Sequence, residues 1–243
     1  MVKKKILLLS GDESYLVDAS KDFNSRSGLI KAKDMKVGNK VKTHIGKQFV
    51  AIKPTIKDII EKGVKRTAQV ILPKDISLIL GYTGVSNDSL VVDAGTGSGY
   101  AAIFLSNYIS NGKIVTYEND KRFVAIARKN IENAGCRNVE LRQKDITKGI
   151  KERNVGLIVL DLQKADKVIK HAYKSLIYGG YLVVYSPTIE HLMKAIKKLK
   201  RERFIDIKTI ENIVREWQSE RTLRPKTIGL MHTGFLTFAR KVG

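Results

Sequence analysis

Residues 91–105 read VVDAGTGSGYAAIFL: an apolar run, an aspartate, three glycines alternating with small residues, and the opening of a helix. A buried strand that turns through glycines straight into a helix is the first unit of a doubly wound α/β sheet. Such sheets bind ligands beyond the carboxyl ends of their strands. Gly95, Gly97 and Gly99 let the backbone turn tightly and approach a ligand, and the free amides that begin the next helix favour an anionic group.

The chain around this turn repeats the same alternation. SLVVDAG is a buried strand and Tyr100 to Tyr108 a helix. KIVTYE is a strand, and DKRFVAIARKNIENAG a helix with Phe123, Ala127, Ile131 and Ala134 on one face and Gly135 as its stop. NVELRQKD and VGLIVLD follow as strands, then DKVIKHAYKSLIY as a helix closed by Gly179 and Gly180, YLVVYSP as a strand and a helix over 188–203. Strands alternating with helices imply a parallel sheet with right-handed crossovers, hence a Rossmann-like doubly wound domain over 75–243. IKTIENIVREWQ and GFLTFARKV have no helix between them, which predicts a closing antiparallel pair. Before this domain, residues 1–55 alternate short apolar runs with turn signals and read as a small β domain, joined by a linker and helix over 56–74 that Pro54 opens.

Four strands end in acids: Asp93, Glu118, Asp145 and Asp161. The nicotinamide fingerprint is G-x-G-x-x-G, whereas this turn is G-x-G-x-G with Asp93 two residues ahead of Gly95. That difference points to S-adenosylmethionine, whose amine suits an acid and whose carboxylate suits free amides. Glu118 is placed to accept both hydroxyls of a ribose, and Asp145 the exocyclic amine of adenine.

Charge bounds the partner. The chain of 243 residues carries 45 Lys and Arg against 24 Asp and Glu, a formal +21, and such a field attracts polyanions, nucleic acid above all. KAIKKLKRER over 194–203 concentrates six basic residues on one predicted helix, although a solvated helix face is the plainer reading of that run alone. No apolar run approaches the roughly 20 residues that span a bilayer, and the basic start is followed by too short an apolar stretch for a signal peptide, so the expected location is the cytoplasm. The lone Cys136 excludes an internal disulfide or multi-cysteine metal site. The histidines at 44, 171, 191 and 232 are scattered, with His232 read as a packing or interface residue, and Trp217 is expected in the core or a subunit contact.

QVILPKDISLILGYTGVSNDSLVVDAGTGSGYAAIFL, VLDLQKAD, YLVVYSP and MHTGFLTFARK together resemble the tRNA (adenine-N1)-methyltransferases, class I enzymes that make 1-methyladenosine in the T loop. VGNKVKTHIGKQFVAIKPT in the N-terminal region follows the same family. The resemblance implies transfer from S-adenosylmethionine to N1 of adenine at tRNA position 58, alone or with the neighbouring 57. It implies donor contacts at Asp93, Gly95, Thr96, Gly97, Ser98, Gly99, Tyr100, Glu118, Asp145 and Ile146, with Gln69, Leu72 and their neighbours closing over the methionyl end. It makes Asp161 the catalytic aspartate and Tyr185 an aromatic of the target-base pocket, and it implies a homotetramer and no metal. Two residues depart from the family pattern: Gln163 stands where a proline usually follows the aspartate, and Leu72 where some members have tyrosine.

Three other readings share part of this pattern. Another class I methyltransferase, of the protein isoaspartyl or corrin-precursor type, would have the same donor motif but no use for the basic field and the N-terminal β domain. A non-catalytic RNA-binding subunit would not need the intact acids. A dehydrogenase is weakened by the glycine spacing.

Overall fold

The computed structural model describes residues 5–11, 13–66, 69–218, 222–227, 229 and 232–243, so residues 1–4 of the basic start and Met231 of the C-terminal motif lie outside the described residues. The chain forms two compact units. The smaller takes the residues up to Lys65 together with Lys129–Cys136, and the larger the remainder.

In the smaller unit, β1 (Lys5–Leu9), β2 (Ser14–Asp18), β5 (Lys40–Lys42) and β6 (Gln48–Ile52) form an antiparallel sheet in the order β2-β1-β6-β5, beside a hairpin of β3 (Phe23–Ser25) and β4 (Gly28–Ile30). Ile6, Leu8, Val17, Ile30, Val41, Phe49 and Ala51 make its core. The helix α1 (Ile56–Gly63) starts at a capping box, in which Asp58 N donates to Thr55 Oγ1 and Thr55 N to Asp58 Oδ2 at 2.8 Å. α1 packs on β2. The expected linker over 56–74 is therefore divided: α1 goes with the small unit, and the break falls between Lys65 and Arg66.

The larger unit opens with α2 (Pro73–Thr83), whose proline at the first helical turn needs no amide partner. Then come β7 (Leu90–Ala94), α3 (Tyr100–Tyr108), β8 (Lys113–Glu118), α4 (Lys121–Ala134), whose residues from Lys129 on are counted in the smaller unit, β9 (Val139–Gln143), β10 (Val155–Leu160), α5 (Ala165–Ser175), β11 (Leu176–Ser186), α6 (Ile189–Arg201) and β12 (Ile205–Glu211). A two-residue hairpin of β13 (Trp217–Gln218) and β14 (Arg224–Pro225) precedes the last strand, β15 (Phe235–Arg240). The seven-stranded sheet runs β12-β15-β11-β10-β7-β8-β9. Its five strands from β11 to β9 are parallel, and β15 is antiparallel to both neighbours. β7 and β10, consecutive in the sheet but not in the chain, bound the point where strand order reverses, which is where such sheets bind ligands.

Three expectations are corrected. The helix read as ending at Gly179 and Gly180 stops at Ser175, and Leu176–Ser186 is one long strand. Those glycines serve strand packing instead. A Cβ on Gly180 would press to 3.1 Å on Val155 O, so glycine is what lets β11 close on β10 at an irregularity in their register. Asp145 is not a strand end, because β9 stops at Gln143 and Asp145 caps a short 3₁₀ turn. Of the two places expected for Trp217, the core is excluded, since it is 56% exposed, and the subunit contact is left. The basic run 194–203 lies on α6, which buries Ala195 and Leu199 and turns Lys194, Lys197 and Lys200 outward. Among the described residues no helix is long and apolar enough to cross a membrane.

Candidate active site

Val91–Ala94 of β7 and Leu157–Leu160 of β10 run side by side in register, with Val159 opposite Asp93 and Leu160 opposite Ala94. The pairing continues one step past the strands. Gly95 N donates to Asp161 O at 3.1 Å and Asp161 N donates to Ala94 O, which sets Asp161 against the glycine turn. Gly97 and Gly99 take φ of 54° and 82°, a region that side chains other than glycine enter at a cost, and Gly99 caps α3. Gly99 N donates to Thr96 O at 2.7 Å, closing the turn on itself.

Beyond this turn opens a cavity of about 650 Å³, within the range of small-molecule sites. Gly95, Gly97, Glu118, Asp145, Ile146 and Asp161 line it, and Gln69 reaches it from the segment ahead of α2. Glu118 is held before any ligand arrives, since Gly97 N donates to its Oε2 at 2.9 Å and Asn119 N and Asp120 N to its Oε1 at 2.9 and 3.0 Å. Asp145 accepts from Thr147 N and Oγ1 at 2.9 and 2.7 Å, and these bonds hold its carboxyl below the usual range. Walls that the sequence reading passed over come from Asn119, Asp120, Phe123, Thr147, Gln163, Lys164, Pro187 and His191, most of them in loops following strand ends. No local pattern marks loop residues of this kind.

Other expected site residues lie behind the wall. Asp93 is 1% exposed and accepts from Thr116 Oγ1 at 2.6 Å, and Thr116 in turn shares a 2.5 Å hydrogen bond with Thr96. Asp93 Oδ1 is buried with no hydrogen-bond partner among the described residues. Thr96, Ser98 and the Tyr100 side chain are buried, and the Tyr100 hydroxyl accepts from Arg66 at 2.9 Å. Leu72 is the residue before α2 and does not line the cavity. Tyr185 is 3% exposed, borders a much smaller neighbouring cavity with Leu162 and His191, and donates its hydroxyl to Thr233 O. His232 is exposed and is bonded to Glu211 at 2.5 Å and Pro187 O at 3.1 Å.

Burial, then the charge of Asp93, pushes the Asp161 carboxyl up to about 7. Burial raises Asp93 to about 7 as well, with Glu118 adding and Thr116 opposing. Burial and the charges of Asp161 and Asp75 push Tyr185 up to about 12, so the phenol keeps its proton. The cavity thus combines preset acceptors with a carboxyl pushed up to about 7.

A reversed strand between β11 and β12, a glycine turn after the central strand and an acid fixed after the next describe a class I methyltransferase. Solved structures agree. The chain is similar over 100% of its length to a SAM-dependent O-methyltransferase from Thermotoga maritima (TM-score 0.88, 27% identity, 94% of that chain). It shares its fold with the tRNA (m1A58) methyltransferase TrmI of Aquifex aeolicus (TM-score 0.81, 22% identity, 99% of this chain and 98% of that one). The family model described as tRNA methyltransferase complex GCD14 subunit matches residues 49–228. Over 99% of its length the chain is 35% identical to the tRNA (adenine(57)-N(1)/adenine(58)-N(1))-methyltransferase TrmI of Methanocaldococcus jannaschii, covering 95% of that protein. It is 26% identical to the tRNA (adenine(58)-N(1))-methyltransferase TrmI of Thermus thermophilus, over 84% of this chain and 81% of that one. The chain belongs to this family of tRNA methyltransferases.

Proposed function

We propose that the protein transfers a methyl group from S-adenosylmethionine to N1 of adenine in the T loop of tRNA, at position 58 and, as the name of the Methanocaldococcus relative has it, also at 57. The observation that carries this is Asp161, a carboxyl at the end of β10 that faces the same cavity as the fixed acid Glu118.

Two features fit the donor. Asp93 keeps a buried oxygen with no hydrogen-bond partner among the described residues, which a cationic amine would satisfy, and the floor at Gly95 is so close that a Cβ there would lie 3.3 Å from Asp161 O. Glu118 would hold the ribose hydroxyls and Asp145 with Ile146 the adenine. Gln69 supports the reading that the segment just ahead of α2 closes on this site. S-adenosylmethionine, when bound, supplies an activated methyl group.

The chain's own residues supply positioning and charge. The N1 lone pair of adenine lies in the ring plane and needs no base to expose it. Asp161, once ionised, accepts the exocyclic N–H, orients the ring and stabilises the positive charge that spreads into it as N1 is alkylated. Tyr185 backs the pocket, its hydroxyl turned away towards Thr233. The target base has to leave its stack to enter, and the formal charge of +21 suits holding the surrounding RNA.

The same reading makes the protein cytoplasmic and a homo-oligomer, a tetramer by resemblance. Exposed Ile205, Ile213, Trp217 and Leu223 on and after β12 support an interface there. Incubation of unmodified tRNA with protein and donor, followed by nucleoside analysis, tests the activity: 1-methyladenosine is the expected product, and its absence from donor-competent protein refutes the reading.

A further inference from the structure

Behind the stretch of cavity wall formed by Asp145 and Ile146 runs a chain of alternating charges that ends on a buried phenol. Lys113 Nζ stands 2.6 Å from Glu140 Oε2, Arg142 Nε donates to Glu140 Oε1 at 2.7 Å, and Arg142 Nη1 stands 2.5 Å from Glu152 Oε1. Glu152 is 8% exposed, and its other oxygen accepts the Tyr117 hydroxyl proton at 2.5 Å. A carboxylate that faces arginine has no proton to return, so the phenol oxygen is left as an acceptor. Lys151 N donates to it at 3.3 Å. Burial, then the bond to Glu152, pushes the Tyr117 hydroxyl up, so it keeps the proton that this arrangement uses.

Tyr117 is fixed by its place in β8, where it pairs with Ala94, and it belongs to the same buried apolar cluster as Ile146 and Ile150. Its hydroxyl therefore ties down the rear of the loop over 145–152. Inside the loop, Lys148 N donates to Asp145 O at 3.2 Å and Gly149 N to Ile146 O at 3.0 Å, which links the rear anchor to the front. At the front, Thr147 N and Oγ1 both bond Asp145 Oδ1, and Oδ2 has no hydrogen-bond donor among the described residues. Asp145 and Ile146 line the cavity there. A carboxylate oxygen tells an N–H from a carbonyl only when it is held to within about 0.5 Å of the hydrogen-bonding position. We propose that Tyr117, Arg142 and Glu152 are positioning residues that hold this loop where Asp145 Oδ2 accepts the exocyclic amine of the donor's adenine, and that they thereby set a preference for a 6-amino over a 6-oxo purine. The inference rests on the functional reading above for the donor, and on no part of it that concerns tRNA.

The test titrates the demethylated donor S-adenosylhomocysteine and its 6-oxo analogue S-inosylhomocysteine, by calorimetry, into wild type, Tyr117→Phe, Asp145→Ala and the double variant. Wild type is expected to favour the adenine compound at least about a hundredfold, because the analogue sets a carbonyl against Asp145. Tyr117→Phe keeps the ring beside Ile146 and removes only the hydroxyl, and it is expected to narrow that ratio about tenfold by weakening the adenine compound. In the double variant the ratio should match that of Asp145→Ala, since the tyrosine acts through the aspartate. Thermal melting confirms folding, and Glu152→Ala, which leaves Tyr117 in place, should narrow the ratio likewise and decides the matter if the phenylalanine variant does not fold. A ratio unchanged by the substitution would overturn the proposal, and so would equal weakening of both compounds, which is what lost packing alone gives. Wild type that binds the two compounds equally overturns it as well. Protein that discriminates between them but leaves tRNA unmethylated sinks the functional reading and leaves the proposal standing; protein that binds neither sinks both.

Discussion

Gly97 donates its backbone N–H to Glu118 Oε2 at 2.9 Å, so the acid that ends β8 is anchored to the glycine turn that ends β7. Two further amides fix the other oxygen, and the carboxylate meets a ligand with its orientation already set. Replacing Glu118 by alanine removes a charged acceptor whose hydrogen bonds contribute roughly 1.5–3 kcal/mol each, and donor affinity should fall at least about tenfold. Calorimetric titration checks this, and an unchanged dissociation constant would take Glu118 out of the donor site.

Asp161→Asn keeps the size and an acceptor oxygen but not the charge. Loss of roughly 3 kcal/mol of transition-state stabilisation corresponds to at least about a hundredfold in the single-turnover rate. Donor and tRNA binding should survive, because other residues hold both. A near-normal rate would move the stabilising charge elsewhere.

Asp161 and Asp93 are each pushed up to about 7 in the fold. A carboxyl raised above its unfolded value contributes stability that is complete below about pH 4 and is lost as pH rises through about 7. These two groups should therefore lower the melting temperature of the free protein as pH rises from about 4 to about 7, with little further change above that. A cationic donor favours the ionised forms, so its affinity should rise over the same window and its binding should expel protons. Calorimetry in two buffers of different ionisation enthalpy measures that release; none at neutral pH would mean that neither carboxyl meets the donor's charge.

Gly234→Ala puts a methyl group against the Tyr185 ring, where an ideal Cβ would lie 2.5 to 2.8 Å from three of its atoms. Overpacking of this kind costs typically about 1–3 kcal/mol, and denaturant unfolding should show it. Tyr185→Ala in the same chain should recover part of the loss. If it recovers none, ring contact is not the source.

Binding to tRNA should weaken steeply with salt. A protein that neutralises several phosphates gives a log affinity that falls linearly with log salt, so filter binding at a series of ionic strengths reads the number of contacts. Substituting Lys194, Lys197 and Lys200 on α6 together should shallow the slope if that exposed face meets the RNA. An identical slope would place the contacts on other basic residues.

What the sequence disclosed was whatever a strand or turn writes locally. Glu118 and Asp161 follow apolar runs buried on both faces, so the first acid after each had to stand at a sheet edge, and both line the cavity. Asp93 obeyed the same rule in sequence but closes a bond to Thr116 beneath the turn, which only the neighbouring strand could reveal. Gly179 and Gly180 look like a helix stop until β10 is set beside them. Lys74, Asp75 and Thr233, which hydrogen-bond to one another, stand in quoted motifs that nothing joined, because Asp75 and Thr233 are 158 residues apart and no periodicity spans that distance.

The insertion of β15 between β11 and β12 has a consequence for how the protein is made. A ribosome delivers β12 well before β15, and domains fold from the N-terminal side as they emerge, so β12 waits without a strand neighbour while the chain grows. Thr233 and Gly234 arrive only just ahead of β15, and until then Tyr185 and the Lys74–Asp75 pair lack their partner. The parallel strands can gather during translation, whereas the packing around Tyr185 is completed at the end of it, so a nascent chain stalled before residue 233 should be able to shape the glycine turn but not the wall that Tyr185 forms.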